Sequence, residues 1–257
     1  MSAIKKLKRT LGVGSVVLGF IVYTPMAAAE LVVSAAASLT NAFNELGTHF
    51  TEQHPQTSVL NSFAASDVLL QQIINGAPVD VFASADQQAM DKAVAAGVIQ
   101  PESRHNFVQN RVVLVVPADN PRNIQSLADL DSPAVQRIAY GNPATVPVGR
   151  YTQQALEHTD YWEPIVQRQV LGQNVRQVLD YVVRGEVDAA FVFATDAAQA
   201  QDQVVVIDSL KTPQPVSYPI ALVQRSSANS AAAAYMDFVL SAEGQAILAK
   251  YGFKPAD

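Results

Sequence analysis

Residues 31–50, LVVSAAASLTNAFNELGTHF, pass from an apolar run to a helical pattern within a few positions. Leu31, Val32 and Val33 predict a buried strand, the small Ala35, Ala36 and Ala37 permit close backbone approach, and Phe43, Leu46 and Phe50 share one helical face. Ser38 therefore falls where a helix begins. A hydroxyl and free backbone N–H groups at such a point can hold an anion, although an ordinary serine N-cap is the simpler reading of one junction alone. What decides is whether the chain repeats it.

The chain does repeat it. Residues 58–63 read as a strand leading into a helix over 67–75, with Val68, Leu69, Leu70, Ile73 and Ile74 as its apolar face and Gly76 at C′. Ser66 repeats the placement of Ser38. Asp67 is expected as the first helical residue, suited to the helix dipole but repelling an anion if it turned inward. A second buried strand over 79–83 precedes a helix over 87–96, with Asp86 as N-cap and Asp80 at a loop end rather than as a catalytic pair. Further on, 138–140 predicts a strand and Pro147 the first position of a helix reaching 158, so that Val148 and Gly149 present free N–H groups. Residues 166–171 then read as a strand, Asn174 as an N-cap, and Val175, Val178, Leu179, Val182 and Val183 as a buried helical face ended by Gly185.

Alternating strands and helices indicate an α/β fold with a parallel sheet. The almost continuous β-branched run at 112–116 and the comparable apolar run at 218–223 are expected to be crossovers between two lobes. Lobe 1 would then comprise 30–112 and 223–257, including helices over 231–240 and 242–251, and lobe 2 would comprise 113–222. No internal sequence repeat accompanies this symmetry.

Lys5, Lys6, Lys8 and Arg9, an apolar run over 11–23 and Ala27-Ala28-Ala29 predict a leader over 1–29, cleaved after Ala29 on the way to the periplasm. The apolar run is shorter than the roughly 20 residues of a spanning helix. The chain has no cysteine, which leaves neither a lipid attachment point nor a disulfide. Without the leader's four, the 17 basic residues fall to 13 against 23 acidic, a formal charge of −10 that argues against nucleic acid or an anionic membrane surface. Any anion must be held by local dipoles rather than by overall attraction. At 49% hydrophobic residues the chain can bury a substantial core.

Enzyme signatures are thin. There is no P-loop, no Gly-x-Ser-x-Gly elbow and no His-Glu-x-x-His, and His49, His54, His105 and His158 lack metal-ligand spacing. Trp162 is expected to pack locally in a polar connection. What remains is neutral donor chemistry. A site rich in donors and poor in acceptors prefers a fully deprotonated tetrahedral oxyanion, which disfavours phosphate and leaves sulfate, molybdate, tungstate and chromate.

Several stretches carry a family likeness: AAASLTNAF at 35–43, SFAASDVLLQQI at 62–73, GAPVDVFASAD at 76–86, NPATVPVGRY at 142–151, NVRQVLDYVVRGEVDAAFVFATDA at 174–197 and YGF at 251–253. In this order they make the chain similar to the periplasmic molybdate-binding proteins of ABC transporters, the ModA-like family. The resemblance implies a two-lobed type II periplasmic binding fold, closing on molybdate or tungstate without catalysis or cofactor, molybdenum entering only as the oxyanion with no direct metal ligand. It places the anion on hydroxyl and N–H of Ser38 and Ser66 and on the N–H groups of Val148 and Val175. It also implies a monomer delivering its ligand to a permease of the inner membrane. Two positions depart from the family: Phe193 stands where many members have a tyrosine hydroxyl, and Asp67 where a small neutral residue is common. These departures keep sulfate, thiosulfate or another small oxyanion as the alternative ligand.

Overall fold

A computed structural model describes residues 29–225 and 229–256. The expected leader lies outside the described residues apart from Ala29. In chain order the elements are β1 (Ala29–Ala36), α1 (Thr40–Gln53), β2 (Thr57–Ala64), α2 (Ser66–Ile74), β3 (Val81–Ala83), α3 (Gln87–Ala95), β4 (His105–Asn110) and β5 (Val112–Pro117). Next come β6 (Ile138–Gly141), α4 (Pro147–Leu156), α5 (Trp162–Gln167), β7 (Gln169–Gly172), α6 (Val175–Val183), β8 (Ala189–Phe193), α7 (Ala194–Gln199) and β9 (Val204–Ser209). The chain closes with β10 (Val216–Leu222), α8 (Ser230–Leu240), α9 (Ala242–Lys250) and β11 (Lys254–Pro255).

Two sheets organise these elements. The first runs β11-β4-β10-β3-β1-β2 and the second β7-β6-β8-β5-β9. β1 pairs in parallel with β2 and β3, and β6 in parallel with β7 and β8, as the strand-helix alternation requires. β10 and β5 run antiparallel to their neighbours and make each sheet mixed. The chain passes from the first sheet to the second at Arg111, between β4 and β5, and returns through 210–215.

Three expectations need correction. The second lobe, read as 113–222, includes β10, but β10 pairs with β3 and β4 and belongs to the first sheet. An apolar run carries no mark of which sheet it will join, and the return crossover lies one strand earlier than the sequence predicts. The strand read over 166–171 starts only at Gln169, because Val166 and Gln167 close the short helix α5. Trp162 opens that helix and packs on Tyr140, ring centroids 5.5 Å apart. Finally, Ser38 lies in a 3₁₀ turn, Ala37–Leu39, before α1, and Ser66 rather than Asp67 is the first residue of α2.

The first lobe's core gathers Leu31, Val33 and Ala35 of β1 with Phe43, Leu46 and Phe50 of α1, all essentially without exposure. Phe43 and Phe50 meet Tyr235 of α8 edge to face, at 6.5 and 5.2 Å. In the second lobe α4 approaches β6 so closely that a Cβ on Gly149 would lie 1.8 Å from the Gly141 carbonyl oxygen, so glycine there sets how near the helix start sits to the sheet.

Candidate functional site

Ser38, Ser66, Val148, Val175 and Phe193 all line one cavity, together with Asn174. The first lobe contributes the two serines, at the ends of β1 and β2; the second contributes the starts of α4 and α6 and the end of β8. Its volume is about 10 Å³, against roughly 300–1,000 Å³ for pockets that take organic ligands. That scale leaves no room for an organic ligand of ordinary size.

Neither serine caps a helix with its side chain. Ser66 Oγ instead accepts from the backbone N–H of Ala85 at 3.0 Å. Ser38 Oγ lies 3.0 Å from the hydroxyl of Tyr218 on β10. The direction of that bond follows from its neighbours. Asn110 Oδ1 accepts from the Arg111 N–H at 2.9 Å, which turns its Nδ2 toward Thr195 Oγ1 at 2.8 Å and Tyr218 Oη at 3.2 Å. An amide nitrogen only donates, so the Tyr218 oxygen accepts there; the hydroxyl is buried and Ser38 Oγ is its other hydrogen-bond neighbour, so its single hydrogen is satisfied by going to Ser38. Both serine oxygens thus accept from the protein, and both serine hydrogens are left for the cavity. Burial, reinforced by the nearby charge of Asp196, raises the Tyr218 hydroxyl well above its ordinary value and keeps that hydrogen in place.

The second lobe supplies backbone donors. Pro147 occupies the first position of α4 and Asn174 caps α6 by accepting from Gln177 N–H at 3.0 Å. Val148 and Val175, in the opening positions of their helices, have N–H groups with no intrahelical acceptor. With α2, three helices of nine or ten residues begin at the cavity, each carrying roughly half a positive charge at its start. No lining side chain is charged; the polar ones are Ser38, Ser66 and Asn174. Chemically this is a cradle of neutral donors.

Phe193 has no hydroxyl to offer. Its ring is buried between Tyr218 and Tyr151, centroids 5.6 and 6.3 Å away. Asp67 does not turn into the cavity. It pairs with Lys92 Nζ at 2.7 Å and with Arg150 Nη2 at 2.5 Å. Asp86 caps α3 through Ala89 N–H at 3.0 Å and also meets Arg150, whereas Asp80 is tied to Val32 N–H, Asn229 and Arg225. The two aspartates therefore serve separate networks. Tyr218, Asn110 and Arg150 were not singled out from sequence, since the contacts that give them roles join distant segments.

A family model for bacterial extracellular solute-binding proteins matches residues 31–254. The molybdate-binding protein ModA of Escherichia coli K12 is 33% identical over 237 residues, covering 87% of this chain and 88% of its own. Among solved structures, the periplasmic molybdate-binding protein of Azotobacter vinelandii superposes with a TM-score of 0.76 at 23% identity, covering 88% of this chain and all of its own. The sulfate-binding protein SubI of Mycobacterium tuberculosis H37Rv gives the same TM-score at 21% identity, covering 89% and 88%. These last two likenesses fix the fold as that of two-lobed periplasmic binding proteins.

Proposed function

The chain belongs to the bacterial extracellular solute-binding protein family, in its ModA-like branch, and on that premise we propose that it captures molybdate or tungstate in the interlobe cavity and delivers it to an ABC permease of the inner membrane. It does so as a periplasmic monomer released from its leader after Ala29, without catalysis and without a cofactor. The anion is held by the hydroxyls and N–H groups of Ser38 and Ser66 and by the N–H groups of Val148 and Val175.

The observation that carries this reading is the direction of the serine hydroxyls. Because Tyr218 and Ala85 N–H occupy the serine oxygens as donors, the cavity offers hydrogens and no charged acceptor. A dianion fits that pattern. A protonated phosphate would bury an O–H without a partner, a cost of about 1–3 kcal/mol. Sulfate fits the same donor set, and the missing hydroxyl at Phe193 keeps it, with thiosulfate, as the alternative.

A thermal-shift series on residues 30–257 with molybdate, tungstate, sulfate and phosphate separates these outcomes. Ligand at a hundred times Kd stabilises the fold by about 2.7 kcal/mol. Shifts with molybdate and tungstate, lost or weakened in Ser38→Ala and Ser66→Ala by about 1–3 kcal/mol of binding free energy each, support the reading. A shift with sulfate alone transfers it to the alternative.

A further inference from the structure

Asn110 ends β4, one residue before the chain crosses to the second sheet, and does not line the anion cavity. Its amide is nevertheless fully engaged. Oδ1 accepts from the Arg111 N–H at 2.9 Å, and Nδ2 donates to Thr195 Oγ1 at 2.8 Å and to Tyr218 Oη at 3.2 Å. Because a backbone N–H can only donate, the amide oxygen is fixed on that side and the nitrogen on the other.

The sheet brings the two side chains together. Val216 of β10 stands opposite Asn110, which puts Tyr218 two residues along on the same face, a diagonal neighbour within reach of a long side chain. The Tyr218 ring is fully buried and held between Phe193 and Phe253, each centroid 5.6 Å away. Among the described residues its oxygen has two hydrogen-bond partners, Asn110 Nδ2 and Ser38 Oγ.

An aspartate has the shape of an asparagine, but the atom in place of Nδ2 accepts. Tyr218 would then donate to residue 110, take the Ser38 hydrogen on its own oxygen, and leave Ser38 Oγ facing the cavity with a lone pair. One atom outside the cavity thus decides whether the serine offers a hydrogen or asks for one. We propose that Asn110 is the positioning residue that sets selectivity for fully deprotonated over protonated oxyanions, acting through Tyr218 on Ser38. The inference rests on the binding reading above. It places the discrimination in the first lobe alone, since Asn110 and Tyr218 stand on strands of the first sheet and Ser38 in the turn that follows β1.

Asn110→Asp tests it by titration with molybdate and phosphate above neutral pH, sulfate replacing molybdate if that is the anion wild type takes. Phosphate is then chiefly a singly protonated dianion, and a carboxyl among hydroxyl and N–H donors is ionised. Both anions carry two charges, so the new carboxylate repels them alike and the ratio of their dissociation constants isolates the hydrogen-bond direction. Comparing two ligands on one sample also cancels any fraction of the variant that fails to fold. Phosphate, excluded by wild type, is expected to compete in Asn110→Asp, the ratio moving toward phosphate by about tenfold or more. In a Tyr218→Phe background the link is cut, and the same substitution leaves the ratio where Tyr218→Phe alone puts it. A wild-type ratio in Asn110→Asp, or an equal change with and without the Tyr218 hydroxyl, overturns the inference. If Asn110→Asp binds neither anion, Asn110→Leu, which removes the donor without adding charge, decides: a ratio moved toward phosphate upholds the inference and the wild-type ratio rejects it. A wild type that binds no oxyanion, or binds phosphate as tightly as molybdate, defeats the binding reading and the inference with it. The inference fails alone when wild type discriminates and the variants discriminate equally.

Discussion

The Tyr218 hydroxyl lies 3.0 Å from Ser38 Oγ, yet Tyr218 is not among the residues that line the cavity. Asn110 Nδ2, 3.2 Å away, can only donate to it, which leaves Ser38 Oγ as the neighbour that takes the hydrogen of this buried hydroxyl. The relay Asn110 to Tyr218 to Ser38 aims the serine hydrogen at the cavity, and each donor polarises the next. Tyr218→Phe removes the link while keeping the ring. Ser38 is then free to turn its hydrogen elsewhere, and anion affinity falls by about 0.5–1.5 kcal/mol, roughly two- to tenfold in Kd, measured by calorimetric titration.

Phe193→Tyr places a hydroxyl at the cavity wall. The ring is held by Tyr151 and Tyr218, so the added group is fixed by the same packing. An additional donor to the anion raises affinity by about 0.5–1.5 kcal/mol. Titration of the variant beside wild type checks this, and a weaker variant would mean that the space is already filled by another donor.

How far the site could be read ahead of the structure depended on whether each signal was local. The helix starts beside Ser38, Ser66, Val148 and Val175 stand at punctuation marks (small residues after a strand, Pro147 at a helix start, Asn174 as a cap), while the family likeness is what names the Val148 and Val175 N–H groups as anion donors. Each mark needs only its neighbours. Tyr218 and Arg150 act on partners 180 and 83 positions away, and nothing in either segment names the other. The assignment of β10 failed for a related reason, since Val216–Leu222 has the same buried pattern whichever sheet accepts it. The short run at 166–171 failed because a few apolar residues suit a helix end as well as a strand; Pro164, tolerated in the first turn of α5, was no obstacle to a helix there.

The Tyr235 hydroxyl is buried without a hydrogen-bond partner among the described residues, while its ring contacts Phe43 and Phe50. Leaving such a group unsatisfied costs about 1–3 kcal/mol. Tyr235→Phe keeps the aromatic packing and removes the cost, so the variant unfolds at a higher denaturant midpoint with an unchanged slope.

Asp196, fully buried, has its pKa raised to about 6 by burial, with the charge of Arg176 offsetting only part of the effect. Arg176 Nε is 2.6 Å from Oδ1 but out of line for a hydrogen bond. Because the folded-state value lies above the ordinary one, the native protein binds this proton more tightly than the unfolded chain. This group's contribution is therefore most favourable below pH 4 and declines as pH rises toward 6, by about 3 kcal/mol in all. Asp196→Asn removes that slope: its stability relative to wild type rises by about this amount between pH 4 and pH 7, read from denaturant unfolding at each pH.

Calorimetric titration of residues 30–257 with molybdate, followed by sulfate and phosphate, goes most directly to the central claim. Saturable binding of one molybdate per chain, with phosphate failing to compete, is the predicted result. No heat with molybdate, or phosphate bound as tightly as molybdate, would contradict a cavity built from neutral donors for a fully deprotonated oxyanion.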